Sequence, residues 1–297
     1  MADTHTPVLL HEVLTLLDPK PGEIFIDATI NGGGHARAIA ERVGRTGKVI
    51  GIDWDCDLIR ESGIRNKESG IKNITLVCDT YGNIKTIVEK HGAKTVNGIL
   101  FDLGFSSYHL DASGRGFSFL ADEPLDMRYN PEDNKLTAGE IINTWPQERI
   151  ASILWEDGEE RWARRIAKGI ASARINKKIV SSKKLAEVIV RSVPRQARSH
   201  IHPATRAFQA LRITVNHELV SLAQALPAAC ALLGSGGRLA VISFHSLEDR
   251  RVKTFFREEE KKGVLRTAAK KPIRALPEEI SINPRARSAR LRGATKI

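Results

Sequence analysis

The chain has 297 residues, of which 41% are hydrophobic, and carries a formal charge of +11 with an isoelectric point near 9.7. This is enough apolar material for one large domain with something smaller beside it, and no apolar run approaches bilayer-crossing length or follows a basic start as in a secretory leader. Three cysteines without a C-x-x-C pair argue against a disulfide framework or a zinc ribbon, so a soluble protein of the reducing cytoplasm is expected, and the basic charge points to a polyanionic partner.

In chain order, His5 to Leu17 reads as an amphipathic helix, with Pro7 near its start and Pro19 beyond its end. Ile24-Phe25-Ile26 is short and β-branched, a buried strand ending at Asp27. Asn31-Gly32-Gly33-Gly34-His35 then turns the chain. Its glycines can adopt positive φ and let a ligand lie against bare backbone, and the helix from Ala36 to Val43 offers unpaired N–H groups. A second strand, Lys48 to Ile52, delivers Asp53 twenty residues after Gly33, the distance at which an acid meets ribose hydroxyls in dinucleotide folds. Arg37 stands at the third glycine position of that fingerprint, so an adenosine ligand without a pyrophosphate fits better.

Ile74 to Val77 makes a third strand ending at Asp79, and Ile99 to Phe101 a fourth ending at Asp102. The four aspartates recur at 26, 26 and 23 residues, a βα period that implies a parallel sheet with its carboxyl ends lining one crevice. The next buried strand, Arg238 to Phe244, begins about 136 residues later, where one βα unit would suffice, so roughly 100 residues are inserted. The insertion reads as helical. Thr137 with Glu140 forms a capping box, Pro146 restarts a helix through Leu154, and Trp162, Ile166 and Ile170 recur at i+4. A helix from Ser182 stops at Pro194, and a long one from Ala204 to Leu226 returns to the sheet. Ser246 with Asp249 reads as an N-cap pair for a helix from Leu247 to Glu259. His245, at a strand's carboxyl end just before that helix, is a candidate catalytic group of the crevice. His200 and His202 lack a third ligand at a sensible spacing, so no metal is expected. The tail from Asn283, with Arg285, Arg287, Arg290, Arg292 and Lys296, reads as a final edge strand with a phosphate-facing side.

Between Arg161 and Arg212 there are fourteen Lys and Arg against one acid, Glu187, while the rest of the chain sums to −2. So local an excess favours a nucleic-acid surface over a solvated helix face.

Eight segments carry a resemblance: HTPVLLHEV at His5, DATINGGGHA at Asp27, FDLGFSS at Phe101, RGFSF at Arg115, PLDMR at Pro124, HPATRAFQALRITVN at His202, GGRLAVISFHSLEDR at Gly236 and NPRARSARLR at Asn283. Nearly end to end, the chain resembles the bacterial S-adenosylmethionine-dependent methyltransferases that modify the exocyclic N4 of a decoding-centre cytosine in 16S ribosomal RNA. The resemblance implies an α/β class I methyltransferase fold, Rossmann-like with a mostly parallel sheet, interrupted by an all-helical RNA-recognition domain, with boundaries at 1–107, 108–202 and 203–297. It implies that Gly33, Gly34, His35, Asp53, Tyr81, Asp102 and His109 contact S-adenosylmethionine, and that the partner is the small ribosomal subunit, with neither DNA nor a membrane involved. Asn31 replaces a usual glycine, and Phe105, Tyr108 and His109 replace a small residue, a proline and a glutamine.

Methylating an aromatic amine is largely a matter of positioning, and Asp102 is placed to accept a hydrogen bond from the amino group. The target base must leave its stack, which makes Phe117, Phe119 and Arg128 candidate neighbours. A nicotinamide dehydrogenase would need the missing third glycine and no basic insertion. A catalytically silent ribosome-assembly factor would share the basic face but transfer no methyl group.

Overall fold

A computed structural model describes residues 7–104, 106–194 and 202–297. The β-branched runs of the sequence become strands β1 (Ile24–Asp27), β2 (Lys48–Asp53), β3 (Ile74–Cys78), β4 (Val96–Asp102) and β5 (Leu233–Ser243). They are joined by β6 (Leu265–Thr267) and β7 (Arg290–Lys296) in one seven-stranded sheet of order β3-β2-β1-β4-β5-β7-β6. Neighbours from β3 to β5 pair in parallel, while β7 runs antiparallel to both β5 and β6. The order reverses between β1 and β4, and a ligand crevice is expected beyond their carboxyl ends. Strand alternation buries Ile26, Ile50, Ile99, Phe101 and Val241 in one core cluster. Phe25, Val49, Leu100, Ala240 and Ile242 lie in a second, together with α1 (Leu10–Leu17) and α2 (Gly34–Val43). The first residues of the expected opening helix, His5 and Thr6, lie outside the described residues.

Three sequence expectations change in this part of the chain. The arginine-rich tail is an interior strand, since β7 is hydrogen-bonded on both sides. Its Arg290 and Arg292 are taken up by Asp249 of α12 (Ser246–Lys261), at 3.3 Å and 2.7 Å, so that strand presents no such phosphate-facing row. The cap of α12 also shifts by one residue. His245 is the N-cap and forms a reciprocal box with Glu248, leaving Ser246 inside the helix. Finally, Cys56 opens α3 (Cys56–Glu68) and Cys78 ends β3, and the two are joined as a disulfide with Cα atoms 5.2 Å apart. Sequence spacing gave no hint of this pairing, because parallel β2–β3 registration brings the two together.

The chain divides into two compact units, Met1–Phe105 with Leu219–Ile297, and Ser106–Glu218. The second is helical, with α5 (Ser107–Asp111), α6 (Ala138–Thr144), α7 (Gln147–Glu156), α8 (Ala163–Asn176), α9 (Ser182–Ser192) and α10 (Ala204–Asn216). Its own core gathers Ile141, Ile150, Leu154, Ile166, Leu185 and Leu211. The helix expected to run unbroken from Ala204 to Leu226 stops at His217, whose φ of 52° is left-handed, and α11 (Glu218–Leu232) follows. Thus α10 packs within the helical unit, and that unit extends to Glu218, beyond the boundary at residue 202 read from sequence.

Candidate active site

The carboxyl ends of β1, β2 and β4 each present an aspartate. Asp27 is paired with Gly51 on one side and Leu100 on the other, so Asp53 and Asp102 each stand two residues beyond its level. Asp27 and Asp102 are buried, and one oxygen of each, Asp27 Oδ2 and Asp102 Oδ1, has no hydrogen-bond partner. Burial pushes the Asp27 carboxyl up to about 8, helped by the Asp102 charge, and pushes Asp53 and Asp102 up to about 7. A concentration of desolvated carboxylates disfavours its own negative charge and suits a cationic ligand or a proton-accepting role.

The loop between β1 and α2 is built around these acids. Asn31 adopts φ 47°, a left-handed conformation that asparagine tolerates where most side chains do not, which explains how it replaces a glycine there. Its amide donates to the Asp102 and Thr29 carbonyls at 3.3 and 3.2 Å, and its backbone N–H donates to Asp53 Oδ2 at 2.9 Å. The Asp102 N–H donates to Thr29 Oγ1 at 2.6 Å. Gly33, with φ 75°, then starts α2 in a conformation that a side chain would strain. Arg37, at the position of the absent third glycine, folds back to donate to the Gly32 carbonyl at 3.1 Å. On the β4 side, a Cβ on Gly104 would meet the Phe244 ring at 2.5 Å, so the turn after Asp102 requires glycine.

The remaining candidates fall in different environments. His35 is buried, its Nε2 lies 3.0 Å from the Val8 carbonyl, and its Nδ1 faces Asp102 Oδ2 at 3.7 Å, so it supports Asp102 from beneath the loop. Tyr81 lies half-buried just after β3, its ring edge-on to Phe101 with centroids 5.8 Å apart. His245 holds its helix cap, Nδ1 accepting from the Glu248 N–H at 3.5 Å, and its Nε2 lies 3.0 Å from Glu248 Oε1. His109 belongs to the helical unit, where Nδ1 accepts from the Ser106 N–H at 3.2 Å and the ring packs tilted against both Phe117 and Tyr129. Phe117 is stacked on Tyr129 and Arg128 is held by Asp126 in two hydrogen bonds, so both serve the packing of that unit. Sequence reasoning passed over Thr29 and Asn31 as site-building groups. It also passed over Arg285, whose charge bears on Asp102. Their contribution is made through loop geometry that residue types alone do not display.

The basic excess is thinner than the sequence count. Arg212 is buried in a bidentate pair with Glu218, and Arg174 donates to the Ile142 and Trp145 carbonyls at 2.7 and 2.8 Å. Arg195, Arg198 and His200 lie outside the described residues. Lys177, Lys178, Lys183 and Lys184 stand exposed around the turn between α8 and α9. Reversing these four to glutamate is expected to lower the salt slope of RNA binding by about one to three units while leaving cofactor affinity unchanged, as read from titrations of one RNA across a salt series. An unaltered slope would reduce this face to a solvated surface.

The chain matches the MraW methylase family over residues 2–297. It is 46% identical over 310 residues to ribosomal RNA small subunit methyltransferase H of Heliobacterium mobile, with 99% of each chain covered. The chain belongs to the MraW methylase family. Another relative, ribosomal RNA small subunit methyltransferase H of Deinococcus deserti, is 45% identical over 99% of this chain and 93% of its own. Among solved structures, a putative rRNA-methylase from Clostridium thermocellum aligns over 97% of this chain and 95% of its own, at 15% identity and a TM-score of 0.48. As a methylase of this family the protein takes its methyl group from S-adenosylmethionine. Gly33 itself is buried and gives its N–H to the Ile30 carbonyl at 2.6 Å, so the fit to that donor rests on the acids: the unpartnered oxygen of buried Asp27 complements a sulfonium charge. No helix among the described residues is long and apolar enough to cross a membrane.

In Asp53, Oδ2 holds the Asn31 N–H and Oδ1 the Asp55 N–H at 2.9 Å, leaving further lone pairs for ribose hydroxyls. Asp53→Ala is expected to weaken S-adenosylmethionine binding about ten- to a hundred-fold, the loss of a charged hydrogen bond of about 1.5 to 3 kcal/mol. Calorimetry giving an unchanged dissociation constant would remove Asp53 from the cofactor site.

Proposed function

We propose that the protein methylates the exocyclic N4 of a decoding-centre cytidine in 16S ribosomal RNA, acting on the small ribosomal subunit in the cytoplasm. The observation that carries this reading is Asp102: a buried carboxylate at the reversal point of the sheet, with one unpartnered oxygen and a carboxyl pushed up to about 7. S-adenosylmethionine, when bound, supplies an electrophilic methyl on sulfur, and the protein's task is to align the amine with it.

The cytosine amino nitrogen has its lone pair partly delocalised into the ring. Asp102 Oδ1 accepts a hydrogen bond from the amine, which turns the lone pair outward and draws off the proton as the nitrogen–methyl bond forms and the sulfur–methyl bond breaks. A carboxylate titrating near neutrality is suited to receive that proton and return it to solvent. Thr29 and Asn31 hold the Asp102 backbone, and His35 faces its second oxygen, so the acceptor is preset before substrate arrives. The basic helical unit supplies phosphate contacts that offset the cost of lifting the base from its stack.

Transfer of labelled methyl groups to small subunits from a strain lacking the modification, followed by nucleoside analysis, tests this reading. The expected product is N4-methylcytidine. Label confined to another nucleoside, or no transfer at all, overturns it.

A further inference from the structure

The helical unit contains a cavity of about 860 Å³ between α7 and the beginning of α8 that the transfer reaction does not use. One wall is the α7 face of Gln147, Ala151 and Trp155, with Glu148, Ser152 and Glu156 beside it. The other is the N-terminal turn of α8, with Arg161, Trp162, Arg164 and Arg165.

Two features of this groove call for a ligand. Trp155 leaves 63% of its surface exposed, in a unit whose other tryptophans, Trp145 and Trp162, pack partly against the core. The first turn of α8 carries no acid and has no side-chain cap, yet holds Arg164 and Arg165, so cations crowd the positive end of a helix where anions are favoured. Neither arginine has a carboxylate within ion-pair distance among the described residues.

We propose that this groove binds one or two nucleotides of single-stranded RNA, an inference that rests on the RNA substrate proposed above. A base stacks on Trp155, its amino edge meets Glu148, Glu156 or Gln147, and the flanking phosphate sits at Arg164 and Arg165. The nucleotide thereby gains a π face for its base, acceptors for its amino hydrogens and two cations for its phosphate. The volume lies within the roughly 300–1,000 Å³ of small-ligand sites, so the groove can enclose a nucleotide instead of merely touching a backbone. An acidic peptide would use the arginines but not the two glutamates, which would repel it.

The test uses the full chain and a mixed-sequence single-stranded RNA decamer, read by quenching of tryptophan fluorescence and by competition. Trp155→Ala is expected to weaken decamer binding about tenfold, and Trp155→Phe to retain it within about threefold, since stacking tolerates any aromatic face. Arg164→Glu with Arg165→Glu should lower the salt slope by about one to two units. S-adenosylmethionine affinity should be the same in all three variants. Wild-type decamer affinity in both Trp155→Ala and the double arginine variant would overturn the proposal, as would binding of a glutamate decapeptide in place of the RNA. Failure of the wild type to methylate small-subunit RNA would sink the proposed function, whereas the decamer titrations would still decide the groove.

Discussion

Asp102→Asn is expected to slow single-turnover methyl transfer by about a hundred-fold, the lower end of what a positioned proton acceptor contributes, while changing S-adenosylmethionine affinity by no more than about threefold. Asparagine keeps the volume and can still accept a hydrogen bond, but it cannot take the proton, so the loss falls on the transition state and not on binding. The pH profile separates this role from a cofactor contact. Because the Asp102 carboxyl is pushed up to about 7, the wild-type rate should rise with pH through that value, and the variant should lack that limb. The same shift has an opposite consequence for stability. A carboxyl that prefers its proton in the folded chain stabilises fully below its ordinary 3.8, and that contribution is lost as pH rises through about 7. Activity and stability of the ligand-free protein should therefore run in opposite directions across neutrality. A variant rate within about twofold of wild type would limit Asp102 to cofactor contact.

Arg212→Ala should destabilise the helical unit by about 3 to 5 kcal/mol, the usual penalty for leaving one member of a buried ion pair alone. Arg212 Nε and Nη2 donate to the two oxygens of Glu218 at 2.8 and 2.9 Å, and the Tyr129 hydroxyl donates to the same carboxylate at 3.1 Å. Removing the guanidinium strands a buried carboxylate; replacing both partners, as Arg212→Met with Glu218→Leu, should cost far less. Three of the four tryptophans, Trp145, Trp155 and Trp162, lie in this unit, so urea unfolding followed by tryptophan fluorescence reports mainly on it. Equal midpoints for Arg212→Ala and wild type would mean that the pair carries no net stability.

The periodic features of the sequence were legible because they follow from backbone geometry. Short β-branched runs ending in Asp27, Asp53 and Asp102 became adjacent parallel strands, and Asp79 follows directly on the third, because a buried strand followed by a helix leaves its last polar residue at the sheet's rim. What stayed hidden depends on partners distant in sequence. Arg212 counts as a positive charge in any composition, and only the turn at His217 swings Glu218 onto it. The tail arginines read as an exposed row until β6 supplies a second neighbour and α12 supplies Asp249. Capping by His245 was missed because Ser246 is the stronger cap former by residue type, and the reciprocal bond with Glu248 outweighs that preference. Likewise His35 carries a loop motif's identity, while its burial against Val8 and Asp102 is a property of packing.

The insertion also bears on how the chain reaches its native state. Gly98 of β4 pairs with Arg238 of β5, partners roughly 140 residues apart, so the two strands at the centre of the sheet are among its most distant in sequence. Within the helical unit, the Arg115 carbonyl accepts from the Met127 N–H at 2.8 Å, and Asn216 clasps Met127 and Tyr129 through bonds of 2.7 and 2.8 Å. That clasp ties the entry of the unit to its exit. Once it forms, the loop to be closed shrinks from roughly 140 residues to about 40, a saving of about 1.1 kcal/mol in closure entropy, or roughly a sixfold faster search. The unit that carries the basic surface thereby also shortens the path along the chain between the two halves of the sheet.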